Sequence, residues 1–264
     1  MLRNLVFAIL LGCCVGLLPA EEGAAPADPR LDAMRAAVVA DPENEELRRK
    51  LAITLYEAGL REEAVEHFEL LAEKSPTPRA LLDLALGYSS LSRVDDAEAT
   101  YAQLLQLSPN HAIALHNLAN MAYRRSELDK SIELYRKAIA AEPGYLLAYA
   151  HLGDAYRQAE RYKDAYRTYE QVLELEPKNG TELTAYDDAL YRMASLDIQM
   201  GSYERAGVLL SELLRASPEH PKAYYAYGQV LMHLGKVEEA QKAFAVHQQI
   251  QAKQKHTSPM AHGD

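Results

Sequence analysis

The chain has 264 residues and a formal net charge of −10 at pH 7, with 48% hydrophobic and 25% charged residues. These fractions are typical of a soluble globular protein of one or two domains. The acidic balance repels phosphate backbones and anionic lipid heads, so it argues against nucleic acid as a partner and against broad binding to a membrane surface.

The first twenty residues predict an export signal. One positive charge lies within residues 1–4, residues 5–18 form an unbroken apolar run, and Ala20 precedes two glutamates. Fourteen apolar residues make a helix of about 21 Å, which is too short to cross a bilayer comfortably but suits the apolar region of a signal peptide. We therefore predict cleavage near Ala20 and export, with the periplasm as the compartment.

Two alternatives remain for this segment. The run Leu10-Leu11-Gly12-Cys13 resembles a bacterial lipobox, which would make Cys13 the acylated first residue of a membrane-anchored lipoprotein. An uncleaved anchor is the other alternative. Cys13 and Cys14 are the only cysteines, so cleavage at Ala20 would leave an exported domain without disulfides.

Residues 21–29 and 30–41 connect this segment to the rest of the chain. The first range is rich in alanine, proline and acidic residues and is predicted to be a linker. The second range reads as one lone helix, and we expect it to cap the hydrophobic end of the following domain.

An internal repeat follows. Prolines recur at intervals of 34, 33, 34, 34 and 41 residues, at Pro42, Pro76, Pro109, Pro143, Pro177 and Pro218. Each unit has two small residues twelve positions apart: Ala52 and Ala64, Ala85 and Ala97, Ala119 and Ser131, Gly153 and Ala165, Ala194 and Ala206, Gly228 and Ala240. A large residue follows four positions later, at Phe68, Tyr101, Tyr135, Tyr169, Leu210 and Phe244.

These spacings predict two helices in each unit. Apolar residues three and four positions apart mark one face of a helix. The small residues let the paired helices approach closely, and the large residue is expected to fill the wedge against the next pair. The proline ends one pair, because it cannot continue a helix.

The pattern resembles the tetratricopeptide repeat (TPR) family. The resemblance covers about residues 45–252, and the repeats are placed at 45–77, 78–111, 112–145, 146–179, 187–220 and 221–254. It implies an all-α fold, a right-handed α-solenoid of stacked antiparallel helix hairpins.

Two departures from the pattern carry structural predictions. Seven extra residues, 180–186, amount to nearly two helical turns, so the first helix of repeat five is expected to begin near Thr181, with Leu183 and Tyr186 in phase with Leu190. The last repeat lacks its closing proline and has His247 at a normally small position, which is typical of a cap. Residues 255–264 are predicted to be a disordered tail.

The resemblance also implies a site. In the TPR family, the first helix of each repeat faces a concave groove that holds a partner. Carried over residue by residue, the candidate groove residues are His116, Asn117, Asn120, Tyr123, Arg124, His151, Asp154, Arg157, Tyr191, Arg192, Ser195, Tyr225 and Gln229.

Asn117 and Asn120 are the most distinctive of these residues. They lie three positions apart on one helix face, and a carboxamide, which both donates and accepts, suits the backbone of an extended peptide. The alternative is that they are solvated polar positions. Likewise, Arg124, Arg157 and Arg192 are candidates for binding a partner's carboxylates, or else are exposed charges without a ligand.

No motif of a catalytic site is present, and we expect no enzyme activity, no metal and no cofactor. His116, His151 and His233 have no regular ligand spacing and are not assigned to a metal. We predict an adaptor that holds a protein or peptide segment in its groove, with envelope assemblies such as secretion or pilus machinery as the analogy. The alternatives are a self-assembling scaffold, which would be a homo-oligomer, and a regulatory subunit of an envelope enzyme.

Overall fold

The fold is all-α. A computed structural model describes residues 28–220 and 222–257, with the side chains described as far as residue 253, and every regular element in that part of the chain is an α-helix. The helices form two compact units, one that ends at Tyr145 and one that begins at Leu146. In each unit, consecutive helices pack against one another. The predicted class of stacked helix hairpins is therefore confirmed.

Within the residues described, the first unit contains a single helix followed by three hairpins. The single helix is α1, Pro29–Ala40. The hairpins pair α2 (Glu45–Glu57) with α3 (Arg61–Lys74), α4 (Pro78–Ser90) with α5 (Val94–Leu107), and α6 (Ala112–Arg124) with α7 (Leu128–Ala141). Leu31 and Val38 of α1 are buried in the same core as Leu51 and Leu55, so this helix covers the start of the hydrophobic stack.

The second unit consists of three hairpins. They pair α8 (Leu146–Gln158) with α9 (Tyr162–Leu173), α10 (Gly180–Gln199) with α11 (Tyr203–Ala216), and α12 (Ala223–His233) with α13 (Val237–Thr257). Among the residues described, no helix is both long enough and apolar enough to span a membrane.

Helix α10 includes the seven-residue insertion. It begins at Gly180, where the Asn179 side chain accepts a hydrogen bond from the Glu182 amide at 3.0 Å, so the predicted start near Thr181 is confirmed. Tyr186 packs against the core that contains Leu190, as the phase of the insertion predicts. Leu183, which the same phase predicts to lie with Leu190, is instead exposed.

The close approach of paired helices depends on the small residues. All six in the second helices, from Ala64 to Ala240, are buried. The large residue that follows lies over the small residue of its own hairpin: a Cβ atom built on Gly153 would lie 2.4 Å from the ring of Tyr169, and one on Gly228 would lie 2.5 Å from the ring of Phe244. The large residue also contacts the next pair, as predicted: a Cβ atom built on Gly87 would lie 3.4 Å from the ring of Phe68 in the preceding hairpin.

The turn inside each hairpin has one residue in the left-handed region. It is always the fifteenth residue of the repeat: Gly59, Ser92, Ser126, Glu160, Gly201 and Gly235, with φ between 58° and 86°. Only glycine adopts this conformation without strain from a Cβ atom. The turn therefore recurs even where the sequence does not place a glycine.

The ends of the helical part differ slightly from the prediction. Helix α1 begins at Pro29, the last residue of the predicted linker, with Asp28 as its N-cap. Helix α13 continues to Thr257, so residues 255–257 do not belong to a disordered tail. The predicted signal, most of the linker, Cys13 and residues 258–264 lie outside the described residues.

The glycine contacts generate a prediction with a matched control. Gly153→Ala should lower the free energy of unfolding by about 1–3 kcal/mol, because the new methyl group collides with the buried Tyr169 ring. Gly207→Ala should leave stability unchanged or raise it by up to about 1 kcal/mol, since its nearest neighbour is Val230 at 3.4 Å and alanine favours helix. Urea unfolding followed by circular dichroism measures both. Equal stability of the two variants would contradict the packing described.

Candidate functional site

The predicted groove residues lie on the first helices of the last four hairpins, α6, α8, α10 and α12. We call the polar side of α2, α4 and α6 the first-helix face of the first unit, and that of α8, α10 and α12 the first-helix face of the second unit. In the second unit, α10 contacts both α8 and α12. Ion pairs join neighbouring first helices in both units: Arg49 with Asp83, and Asp154 with Arg192.

The ion pair in the first unit is bidentate. Arg49 donates from Nε to Oδ2 of Asp83 at 2.5 Å and from Nη2 to Oδ1 at 3.1 Å. Burial raises the pKa of Asp83, while the bonds from Arg49 oppose that shift. Two parallel hydrogen bonds use both carboxylate oxygens, so this pair joins α2 to α4 and leaves little charge for a ligand.

The two asparagines are engaged within the protein. Oδ1 of Asn120 accepts the hydroxyl hydrogen of Tyr135 at 2.5 Å, and Nδ2 of Asn117 donates to the carbonyl oxygen of Ile113 at 2.9 Å. Asn120 thus joins the two helices of its own hairpin, and Asn117 bonds to its own helix. Both side chains are half-buried, so the prediction that they grip a peptide backbone has no support in this geometry.

His116 was predicted to line the groove, and that prediction is wrong. Its residue surface is only 2% exposed. The ring packs between Tyr135 and Tyr145, and the Tyr145 hydroxyl lies 3.2 Å from Nδ1. An aromatic residue in the loop after the hairpin therefore covers His116. Tyr191 has the same arrangement in repeat five, where its ring lies 5.5 Å from that of His220.

Tyr123 and Arg124 complete the predicted residues of the first unit. Tyr123 is half-buried and Arg124, in the last turn of α6, is exposed. Among the predicted site residues of the first unit, only Arg124 is exposed. It forms no cluster with the other predicted residues of that unit.

Asp154 is the centre of the first-helix face in the second unit. Its Oδ1 accepts from Arg192 Nε at 2.9 Å and from the Tyr169 hydroxyl at 2.6 Å. Burial and the Asp154 carboxylate both raise the pKa of Tyr169 well above its ordinary value, so the hydroxyl remains a donor. This network connects α8, α9 and α10 through one carboxylate oxygen.

Arg157 flanks the same carboxylate without bonding to it. Its Nε lies 4.0 Å from Oδ1 of Asp154, beyond hydrogen-bond distance, and is buried without a partner among the described residues. The side chain is 39% exposed. His151 is half-buried on the same helix. The structure thus brings together Asp154, Arg157 and Arg192 but engages only two of them with each other.

The remaining predicted residues differ in accessibility. Ser195 donates its hydroxyl to the Tyr191 carbonyl at 2.8 Å, within its own helix. Tyr225 and Gln229 are exposed on α12. Met232 shares their face because it is seven residues after Tyr225, and it is equally exposed. The last first helix therefore presents an exposed stripe of one aromatic, one amide and one thioether side chain, in which the Tyr225 ring also contacts Phe244 and His247 of α13.

A regular interaction that sequence reasoning missed links the tyrosines to this face. In repeats three and four, the hydroxyl of the large core tyrosine bonds to a polar residue fifteen positions earlier, Asn120 for Tyr135 and Asp154 for Tyr169. Repeat two has Tyr101 but offers Leu86 at the matching position. The fifteen-residue spacing was the signal that could have identified Asn120 and Asp154 as hairpin partners.

The described residues were also compared with what a metal ion requires. Within the described part of the chain, histidines, aspartates and glutamates form no group of three or more that could hold an ion. Asp197 is the most deeply buried carboxylate on α10, and it bonds to Arg205 and to the Tyr166 hydroxyl.

Comparison with known proteins identifies the repeat. Two family profiles described as tetratricopeptide repeat match the chain, one at residues 122–186, 157–214 and 197–256, the other at 82–145. Tetratricopeptide repeat protein 8 of Caenorhabditis elegans is 20% identical over 199 residues, which is 75% of this chain and 38% of that protein. Human protein O-mannosyl-transferase TMTC3 is 25% identical over 174 residues, 60% of this chain and 18% of that protein. The chain thus spans less than two fifths of the length of these relatives.

Solved structures share the fold. Pseudomonas aeruginosa PilF superimposes with a TM-score of 0.64 at 16% identity, over 85% of this chain and 99% of that one. PilW, described as a widely conserved type IV pilus biogenesis factor, gives 0.64 at 18% identity over 81% and 95%. YrrB, described as a TPR protein with an unusual peptide-binding site, gives 0.58 at 19% identity over 71% and 94%.

The tyrosine network generates a prediction about stability. Tyr169→Phe should lower the free energy of unfolding by about 1.5–3 kcal/mol, because it removes a hydrogen bond to the carboxylate of Asp154. Tyr101→Phe should lower the free energy of unfolding by no more than about 0.5 kcal/mol, because Leu86, at the matching position, provides no acceptor for the Tyr101 hydroxyl. Urea unfolding of the two variants tests the difference. Equal losses would show that the bond to Asp154 does not stabilise the hairpin.

Proposed function

The chain belongs to the tetratricopeptide repeat family, whose members are protein-interaction scaffolds, and we propose that it is a non-catalytic adaptor of the bacterial cell envelope. Its partner is a protein or peptide segment. The segment lies on the first-helix face of the second unit and runs across α8, α10 and α12.

The observation that carries this proposal is the exposed stripe on α12. Tyr225 is 49% exposed and Met232 is 48% exposed, with the exposed Gln229 between them. Large aromatic and thioether side chains anchor protein interfaces, because each buries much apolar surface, and methionine adapts to a partner's shape. The stripe follows directly on α10, whose own face carries Arg192. A partner segment therefore meets polar groups and apolar anchors on neighbouring helices.

The non-catalytic part of the proposal rests on how the polar side chains are used. Asp154, Asp197 and Asp83 each bond to an arginine of the chain, and Ser195 bonds to its own helix. None of these contacts joins a nucleophile to a base. The similarity to the mannosyl-transferase TMTC3 covers 18% of that protein and coincides with the repeat family, so it supports a shared repeat rather than a shared reaction.

Export and the envelope role are supported by sequence and by analogy. The apolar run before Ala20 has the length and flanks of a signal peptide. The fold is shared with PilF and PilW, and PilW is described as a pilus biogenesis factor. We therefore place the adaptor in the periplasm, with a lipid anchor at Cys13 as the alternative and with secretion or pilus assembly as the process.

Site-specific photo-crosslinking tests the proposed surface. A photoreactive amino acid replaces Gln229 on the stripe or, as a matched control, Gln241, an exposed glutamine on the opposite helix of the same hairpin. In the producing cells, the Gln229 position should crosslink to one recurring partner and the Gln241 position should not. Adding Tyr225→Ala should weaken that crosslink several-fold, because it removes an exposed anchor.

Three results would contradict the proposal. Equal crosslinking from both positions would remove the distinction between the faces. Crosslinks only to a second copy of the chain would instead support the self-assembling scaffold. A crosslinked partner whose yield is unchanged by Tyr225→Ala would place the binding surface elsewhere.

The mass of the exported chain tests the localisation. The protein recovered from the periplasm is expected to begin at Glu21, because the signal ends at Ala20. An acylated chain that begins at Cys13, and that disappears in Cys13→Ser, would establish the lipoprotein instead. An intact chain that begins at Met1 and stays in the cytoplasm would exclude both forms of export.

A further inference from the structure

Arg157 is a cation without a matched anion. Among the residues whose side chains are described, it makes no hydrogen bond, and its one ionic contact is the 4.0 Å approach of Nε to Asp154. That carboxylate is already bonded by Arg192 at 2.9 Å and by the Tyr169 hydroxyl at 2.6 Å. Two guanidinium groups therefore lie beside one carboxylate, and of the two only Arg192 is hydrogen-bonded to it, in a chain whose net charge is −10.

The position of Arg157 favours a ligand from outside. The Arg157 side chain is 39% exposed, whereas Asp154 is only 16% exposed. Part of the Arg157 side chain is thus accessible on the first-helix face although its Nε is buried, while the Asp154 carboxylate lies deeper and is already bonded. A planar guanidinium has five donors arranged to match a carboxylate in two parallel hydrogen bonds.

We infer that Arg157, with Arg192 beside it, forms a carboxylate-binding site for the segment held on the first-helix face of the second unit. This inference rests on the proposed function and narrows the chemistry of the partner. The carboxylate belongs to an aspartate or glutamate side chain of the partner or to its C-terminus.

The repeat geometry also sets a spacing within the partner. Arg157 and Met232 occupy the same position, the twelfth, in repeats four and six, and their helices are separated by α10 alone. Packed helices lie 8–10 Å apart, so the two side chains are roughly 16–20 Å apart. An extended chain covers that distance in about five or six residues. The bound segment therefore has an acidic group and, about five or six residues away, an apolar side chain that contacts the Tyr225–Met232 stripe.

Selection from a displayed random-peptide library tests this inference. The full chain is immobilised, and bound peptides are sequenced for the wild type, for Arg157→Gln and for Arg167→Gln. Arg167 is an exposed arginine on α9, the second helix of the same hairpin, and no ion pair engages it within the described residues, so its substitution removes the same charge from the other helix. The wild type and Arg167→Gln should enrich peptides with an acidic residue about five or six positions from a large apolar one. Arg157→Gln should lose the acidic enrichment.

A synthetic peptide from the selection then measures the affinity and identifies the source of the carboxylate. Changing its acidic residue to the matching amide should weaken binding to the wild type about 10-fold or more, because a charge-assisted hydrogen bond is lost. The same change should have little effect on binding to Arg157→Gln. If amidation of the C-terminus has this effect instead, the ligand is the terminal carboxylate.

The results separate this inference from the function on which it rests. Peptides that bind the first-helix face without any preference for acidic groups would overturn the carboxylate site but leave the adaptor intact. Acidic enrichment that Arg157→Gln and Arg167→Gln reduce equally would show a general charge effect and would also overturn it. Failure to select any peptide, together with failure of the Gln229 crosslink, would overturn both.

Discussion

The structure depends on the close approach of two helices within each hairpin. At Gly153, the backbone of α8 comes so near the Tyr169 ring that a single methyl group would collide with it, and Gly228 repeats the contact with Phe244. Any side chain at these two positions would therefore push the paired helices apart and loosen the apolar packing between them. Because one hairpin cannot bury its own apolar side, stacking against neighbours supplies the rest of the core.

That constraint explains why so much of the fold could be predicted. Small residues twelve positions apart are a local signal, readable without knowing any distant contact, and so is the in-phase insertion before Leu190. Contacts between different hairpins have no comparable local signal in the sequence. The left-handed residue of each hairpin turn is glycine in three repeats, but it is Ser92, Ser126 or Glu160 in the others, so composition alone does not identify that turn.

The candidate site was harder to predict, for a physical reason. Sequence spacing places Asn120, His116 and Asp154 on the side of their helices that belongs to the first-helix face. Whether a polar group on that side meets solvent or a neighbour depends on a residue fifteen or twenty-nine positions later. The Tyr135 hydroxyl bonds to Asn120, and Tyr145 covers His116. Both contacts depend on how deeply the side chains are packed, which the periodicity of the sequence does not reveal.

The two ion pairs between neighbouring first helices show how similar positions acquire different roles. Arg49 and Asp83 match one guanidinium to one carboxylate through two bonds, so their charges cancel and the pair serves the stack. At Asp154, a tyrosine hydroxyl and Arg192 converge on a single oxygen, and Arg157 remains outside hydrogen-bond distance. Bringing a cation partly out of water without a partner is costly, and an incoming carboxylate removes that cost. The same repeated scaffold therefore uses one ion pair to support the stack, whereas beside the other it leaves Arg157 without a hydrogen-bond partner among the described residues, which is the condition for recognising an acidic ligand.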